Sequence, residues 1–117
     1  MGYLKSNAEV KPKKRLLVKI NEKIYDSFKE LCRVNSIQIS TLVECFCRQF
    51  ANGEFEIEVT EIKEPIADVV CYVNQEVFDA FKIACKQRKI TMKAAVQAFM
   101  ADYSTGEYEV YLRNVEE

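Results

Sequence analysis

The chain of 117 residues contains no histidine. That absence removes the side chain best suited to proton transfer near neutral pH and the commonest metal-binding ring. A zinc site would then need clustered thiolates, and the five cysteines (Cys32, Cys45, Cys47, Cys71, Cys85) offer no CxxC spacing. Four of them sit in apolar stretches, so buried free thiols are expected. Excess charge is missing too: 17 Lys+Arg stand against 18 Asp+Glu, a formal net charge of −1, and the whole chain makes no electrostatic case for nucleic acid. No apolar run approaches the roughly 20 residues of a membrane span. Without an apolar signal segment, and with an odd number of thiols, the chain reads as a protein of the reducing cytoplasm. No Ser, Cys or acid falls in a recognisable nucleophile or metal pattern. Enzyme activity, a cofactor and a small-molecule substrate are therefore not expected.

What the chain does contain is one stretch written twice. A shift of 53 positions lays Asn21 on Asn74, Asp26 on Asp79, Phe28 on Phe81, Lys29 on Lys82, Cys32 on Cys85 and Ile37 on Ile90. The same register continues to Val43 on Val96, Phe46 on Phe99, Gly53 on Gly106 and Glu56 on Glu109. Two copies are too few for a solenoid and imply a pseudo-symmetric pair, a homodimer fused into one chain. Each half, of about 50 residues, is marginal as a separate domain, so the halves should share a core.

The near-zero total hides segregated charge. Residues 1–20 carry Lys5, Lys11, Lys13, Lys14, Arg15 and Lys19 against Glu9 alone, and residues 82–93 carry Lys82, Lys86, Arg88, Lys89 and Lys93 with no acid. The acids gather at 54–64 and at the C-terminus.

In chain order, residues 1–14 mix polar and basic types without an apolar period and read as a flexible basic arm. Residues 15–20, RLLVKI, read as a strand with Leu16, Val18 and Ile20 on one face and Arg15, Leu17 and Lys19 on the other. Asn21 is a good helix N-cap, and Ile24, Phe28, Leu31 and Cys32 form one stripe behind it. After the break at Asn35-Ser36 a second helix carries Val43, Phe46, Cys47 and Phe50 and closes at Asn52-Gly53. The second copy repeats this with a strand at 69–73, Asn74 as cap, the stripe Val77, Phe81, Ala84 and Cys85, then Thr91 as cap and Val96, Phe99, Met100 and Tyr103 up to Gly106. Two alternating segments follow the glycines, EFEIEV at 54–59 and EYEVYL at 107–112, and each reads as an extra short strand. The expected division is an arm at 1–14, units at 15–59 and 68–112, a linker at 60–67 and a tail at 113–117. The fold class expected is α+β, mostly helical.

A single short strand followed by two amphipathic helices, present twice between Arg15 and Leu112, resembles the ribbon-helix-helix family typified by the Arc and MetJ repressors. The resemblance implies that the two strands pair as an antiparallel ribbon that enters the major groove of double-stranded DNA. Fused tandem versions also resemble accessory proteins of plasmid transfer machinery. Carried over by position, Leu16, Val18, Ile20, Val69, Cys71 and Val73 face inward. Arg15, Leu17, Lys19, Asp68, Val70 and Tyr72 face the groove, with Arg15, Leu17, Lys19, Val70 and Tyr72 as base contacts. Arg15 and Lys19 suit guanine acceptors and Leu17 a thymine methyl, whereas Asp68 and Val70 depart from the pattern, so the two half-sites should differ. The family also anchors phosphate at the N-terminus of the second helix, which maps to Ser40 and Thr41 in one copy and Thr91 and Lys93 in the other. Lys89 and the arm residues Lys11, Lys13 and Lys14 would add backbone contacts. The function this implies is a transcriptional repressor or plasmid or phage regulatory factor that can place further copies of itself on DNA. The alternative is a protein-protein module, an adaptor, antitoxin-like partner or inhibitor, on the same scaffold.

Overall fold

The computed structural model of the chain describes residues 12–54, 57 and 64–105. Its architecture is α+β: four helices and one two-stranded antiparallel sheet. The elements are β1 (Lys13–Asn21), α1 (Glu22–Val34), α2 (Ile39–Ala51), β2 (Ile66–Asn74), α3 (Gln75–Gln87) and α4 (Met92–Ser104). Each of the last three starts 53 residues after its counterpart among the first three.

Both strands outrun the lengths expected from their apolar runs. β1 takes in Lys13 and Lys14 from the supposed arm, and β2 takes in Ile66 and Ala67 from the supposed linker. An apolar pattern marks only the residues that pack, whereas the ladder goes on wherever a partner strand offers backbone donors and acceptors. Here each strand is nine residues long, and they pair over their whole length from Lys13 opposite Asn74 to Asn21 opposite Ile66. The midpoint of that register is Leu17 opposite Val70, two residues 53 positions apart.

Helix ends follow from the side chains at them. Asn21 Oδ1 accepts from the backbone N–H of Lys23 and Ile24, and Asn74 Oδ1 from those of Glu76 and Val77. Thr91 caps α4 through Ala94 N–H, while Gln38 at the start of α2 makes no side-chain cap. At the other end, α1 and α3 close in the same way, with Ser36 and Lys89 at positive φ (57° and 59°) and Ile37 and Ile90 N–H reaching back to the carbonyls of Cys32 and Cys85. Ser36 and Lys89 N–H donate in turn to the carbonyls of Arg33 and Lys86, and in each helix the two bonds together make the Schellman ending. Gly53, at φ 79°, ends α2 likewise. The two alternating segments expected as extra strands fall almost wholly outside the described residues; Ile57 within the first is half-buried against the core.

The core lies under the ribbon. Leu16, Val18, Ile20, Val69, Cys71 and Val73 are all buried on its inner face, as alternation required. α1 packs on α4 and α2 on α3, so each helix finds its neighbour across the two halves of the chain. α2 and α4 are central, with every residue from Ala94 to Met100 buried in α4. Their contact is a near-parallel stack of Phe46 on Phe99, ring centroids 4.3 Å apart. Phe28 meets Phe99 edge-on at 5.6 Å, and Phe81 meets Phe46 edge-on at 5.9 Å. Each such ring, fully buried, is worth roughly 2–3 kcal/mol.

Backbone groups at the strand ends are satisfied across the halves as well. Asn21 N–H donates to Gln97 Oε1 at 2.8 Å, and Asn74 N–H to Glu44 Oε1 at 2.5 Å. Glu22 N–H donates to the Pro65 carbonyl at 2.8 Å and Gln75 N–H to the Pro12 carbonyl at 3.0 Å. The first two tie the strand ends to α4 and α2, and the last two tie the starts of α1 and α3 to the residues just before β2 and β1.

Candidate nucleic-acid interface

The outer face of the ribbon is where strand alternation gathers the expected contact residues. With the inner set buried, the outer set reads Lys13, Arg15, Leu17 and Lys19 along β1 and Ile66, Asp68, Val70 and Tyr72 along β2, all exposed. Cross-strand register makes them pairs: Arg15 with Tyr72, Leu17 with Val70, Lys19 with Asp68, and Lys13 beside the half-buried Asn74. Ile66 and Lys13 were not among the expected face contacts; extending the alternation by one step at each strand would have found both.

The face is uneven in charge. At one end Lys13 and Arg15 are two cations with no carboxylate among the outer residues around them. At the other, Lys19 Nζ lies 3.0 Å from Asp68 Oδ1, in a pair whose side chains are 59% and 62% exposed. Between them lies the apolar pair of Leu17 and Val70, while Tyr72 belongs to the cationic end and Ile66 to the other. Leu17 (48% exposed), Val70 (40%), Tyr72 (54%) and Ile66 (40%) are four of the six exposed large apolar side chains among the described residues.

The remaining expected residues divide. Lys14 alternates to the other side of the strand, where its ammonium sits 3.5 Å from Asp79 and 4.7 Å from the centre of the Phe78 ring, so it fastens β1 to α3 rather than joining the outer face. Ser40 and Thr41 are half-buried in the first turn of α2. The Ser40 hydroxyl hydrogen-bonds Cys71, whose thiol burial pushes up and this hydroxyl partly draws back down. That contact sets the α2 N-terminus against the inner side of β2. Thr91 spends its hydroxyl oxygen on the cap of α4, while Lys93 in that first turn and Lys89 before it are exposed. Arg88, from the same basic cluster, places its guanidinium carbon 4.3 Å from the centre of the Phe50 ring. Lys11 lies outside the described residues.

The five cysteines are buried and free, with burial the leading cause that raises each thiol; Cys32 and Cys85 rise to about 11. Among the described residues no group of three or more His, Cys, Asp or Glu could hold a metal ion, and no helix is long and apolar enough to cross a membrane. No family model, curated protein or solved structure matches this chain.

Proposed function

We propose that the protein is a sequence-specific double-stranded DNA-binding protein, a fused ribbon-helix-helix pair that lays the outer face of its ribbon in the major groove and acts as a repressor or as a plasmid or phage regulatory factor. One observation carries the reading: a two-stranded antiparallel ribbon, backed by buried residues on one side, presents Lys13, Arg15, Leu17 and Lys19 opposite Tyr72, Val70 and Asp68 on the other. Outer residues on one strand recur about every 6.6 Å. That matches two base-pair rises of about 3.4 Å, so alternate residues meet alternate base pairs. A groove about 12 Å wide admits such a ribbon. In it Arg15 supplies a bidentate donor for guanine, Leu17 and Val70 an apolar surface for thymine methyls, and Tyr72 a hydroxyl donor. Lys89 and Lys93, exposed near the start of α4, supply salt-sensitive phosphate contacts. The equal spacing of the elements, the cross-packed helices and the register centred on Leu17 and Val70 support the fused-pair reading.

Selection of bound duplexes from a random pool at low and at physiological salt tests it. An enriched motif that survives the higher salt, and that Arg15→Ala weakens, is the expected result. Weak binding that vanishes with salt and enriches nothing would overturn the proposal. The four exposed apolar side chains on the ribbon favour a second reading, a face for a protein partner, whose affinity would change little over the same salt range.

A further inference from the structure

Resting on the DNA-binding reading, we infer that one chain reads a non-palindromic site in a single orientation, with a guanine-bearing half beneath Lys13 and Arg15, and that Asp68 is the specificity-determining residue that keeps the opposite half from being read the same way. A fused pair whose halves had the same residues would present the same contacts at both ends of its ribbon. This chain does not. The shift of 53 residues that maps β1 on β2 puts Asp68 at the position of Arg15, Ile66 at that of Lys13 and Lys19 at that of Tyr72. One end therefore offers two outer cations and a phenol, the other a lysine beside a carboxylate and an isoleucine.

The consequence follows from what the groove displays. Guanine shows two acceptors, N7 and O6, at its major-groove edge, and phosphates line both walls. A carboxylate placed over that edge meets only acceptors and negative charge, so it rejects guanine and tolerates cytosine, whose amino group can donate to it. The ion pair alone would not suffice. Exposed pairs of this kind are weak enough that a phosphate or a base could compete for Lys19. The carboxylate cannot leave the face when its partner does, because β2 holds Asp68 at an outer register position. With Lys19 at 3.0 Å the pair presents no net charge, against two positive charges at the Lys13 and Arg15 end. Affinity, and with it the guanine preference, is concentrated on one half, and Leu17 with Val70 marks the centre of the site.

The test uses the full chain on short duplexes that admit a single copy, with selection repeated for Asp68→Asn and for Asp68→Asn combined with Lys19→Ala, melting temperature serving as the control for folding. The native chain is expected to select an asymmetric motif with one strong half, which Arg15→Ala weakens roughly 5- to 150-fold. Asp68→Asn should bring up guanine preference in the second half, read by the freed Lys19 and distinct from the adenine contact an asparagine itself can make, and raise affinity for duplexes that carry that guanine by roughly fivefold or more, a gain that Lys19→Ala then removes. A palindromic native motif would overturn the inference and leave the DNA-binding reading standing. So would Asp68→Asn raising affinity equally for all duplexes with the motif unchanged, since that is a bulk charge effect. Failure of the native chain to enrich any duplex at either salt would overturn the DNA-binding reading itself.

Discussion

Lys89 occupies the left-handed region at φ 59° because the Schellman ending of α3 needs such a residue there, and it is a lysine rather than a glycine. A side chain in that region costs roughly 1 kcal/mol, and glycine escapes the clash although it loses more freedom on folding. Lys89→Gly should therefore stabilise the protein by about 0.5–1 kcal/mol, visible as a melting point raised by a few degrees. The same change deletes an exposed cation, so on the proposed DNA-binding function duplex affinity should fall while stability rises, a divergence that a damaged fold could not produce. Gln97 makes a related point. Wholly buried, its side-chain oxygen takes the Asn21 N–H, the service Glu44 performs for Asn74 in the other half. The same geometric need is met by an amide in one place and by a carboxylate that also reaches Arg48 in the other.

At the scale of elements, the two central helices begin differently. Thr91 closes the first turn of α4 with its hydroxyl oxygen, while Gln38 leaves α2 without a side-chain cap. Gln38 is exposed and its backbone is already extended, at φ −72° and ψ 138°, so a threonine can take its place without strain. Gln38→Thr should raise the unfolding free energy by about 0.5–1 kcal/mol with the denaturant slope unchanged. An unaltered midpoint in urea would mean that this end of α2 already satisfies its donors in another way. The helices also show why stripes alone did not disclose their burial. α1 and α3 have one apolar side, but α2 is covered by β2 and α3 and stacks on α4 through Phe46 and Phe99, and α4 is covered by β1, α1 and α3.

The whole molecule is held by contacts between its halves. Among the described residues neither half supplies its own strand partner, and α1 packs on α4 and α2 on α3. A polypeptide of residues 1–60 or of 61–117 should therefore lack a cooperative melt as a monomer, and an equimolar mixture should recover the helical signal of the intact chain. A separate cooperative melt for either monomeric fragment, followed by circular dichroism, would refute this interdependence. The buried thiols add a pH dependence. An unfolded thiol ionises near 9.0, whereas Cys32 and Cys85 in the fold stay protonated to about 11. The unfolded chain thus sheds protons first, so stability is unaffected by these groups below about pH 9 and falls as pH climbs from there to about 11. Replacing both by alanine should flatten that alkaline decline in a series of denaturation curves, and alkylation of the native protein at neutral pH should be slow.

Sequence alone determined what is local. Alternation chose the inner faces of both strands, Leu16, Val18, Ile20, Val69, Cys71 and Val73 among them, and helical spacing chose Phe28, Phe46, Phe81 and Phe99 for the core. Asn21, Asn74 and Thr91 announced their helices because a cap acts within three residues. Beyond the strand pairing that the resemblance implied, tertiary structure decided what depends on a partner far along the chain. The strands grew beyond their apolar runs because a second strand of equal length was there to pair with. Lys14 turned to Asp79 on α3, Lys19 was neutralised by Asp68, and Phe46 found Phe99. Periodicity shows which side of an element is apolar, but not what will cover it, since a contact across 49 or more residues leaves no trace in the local pattern.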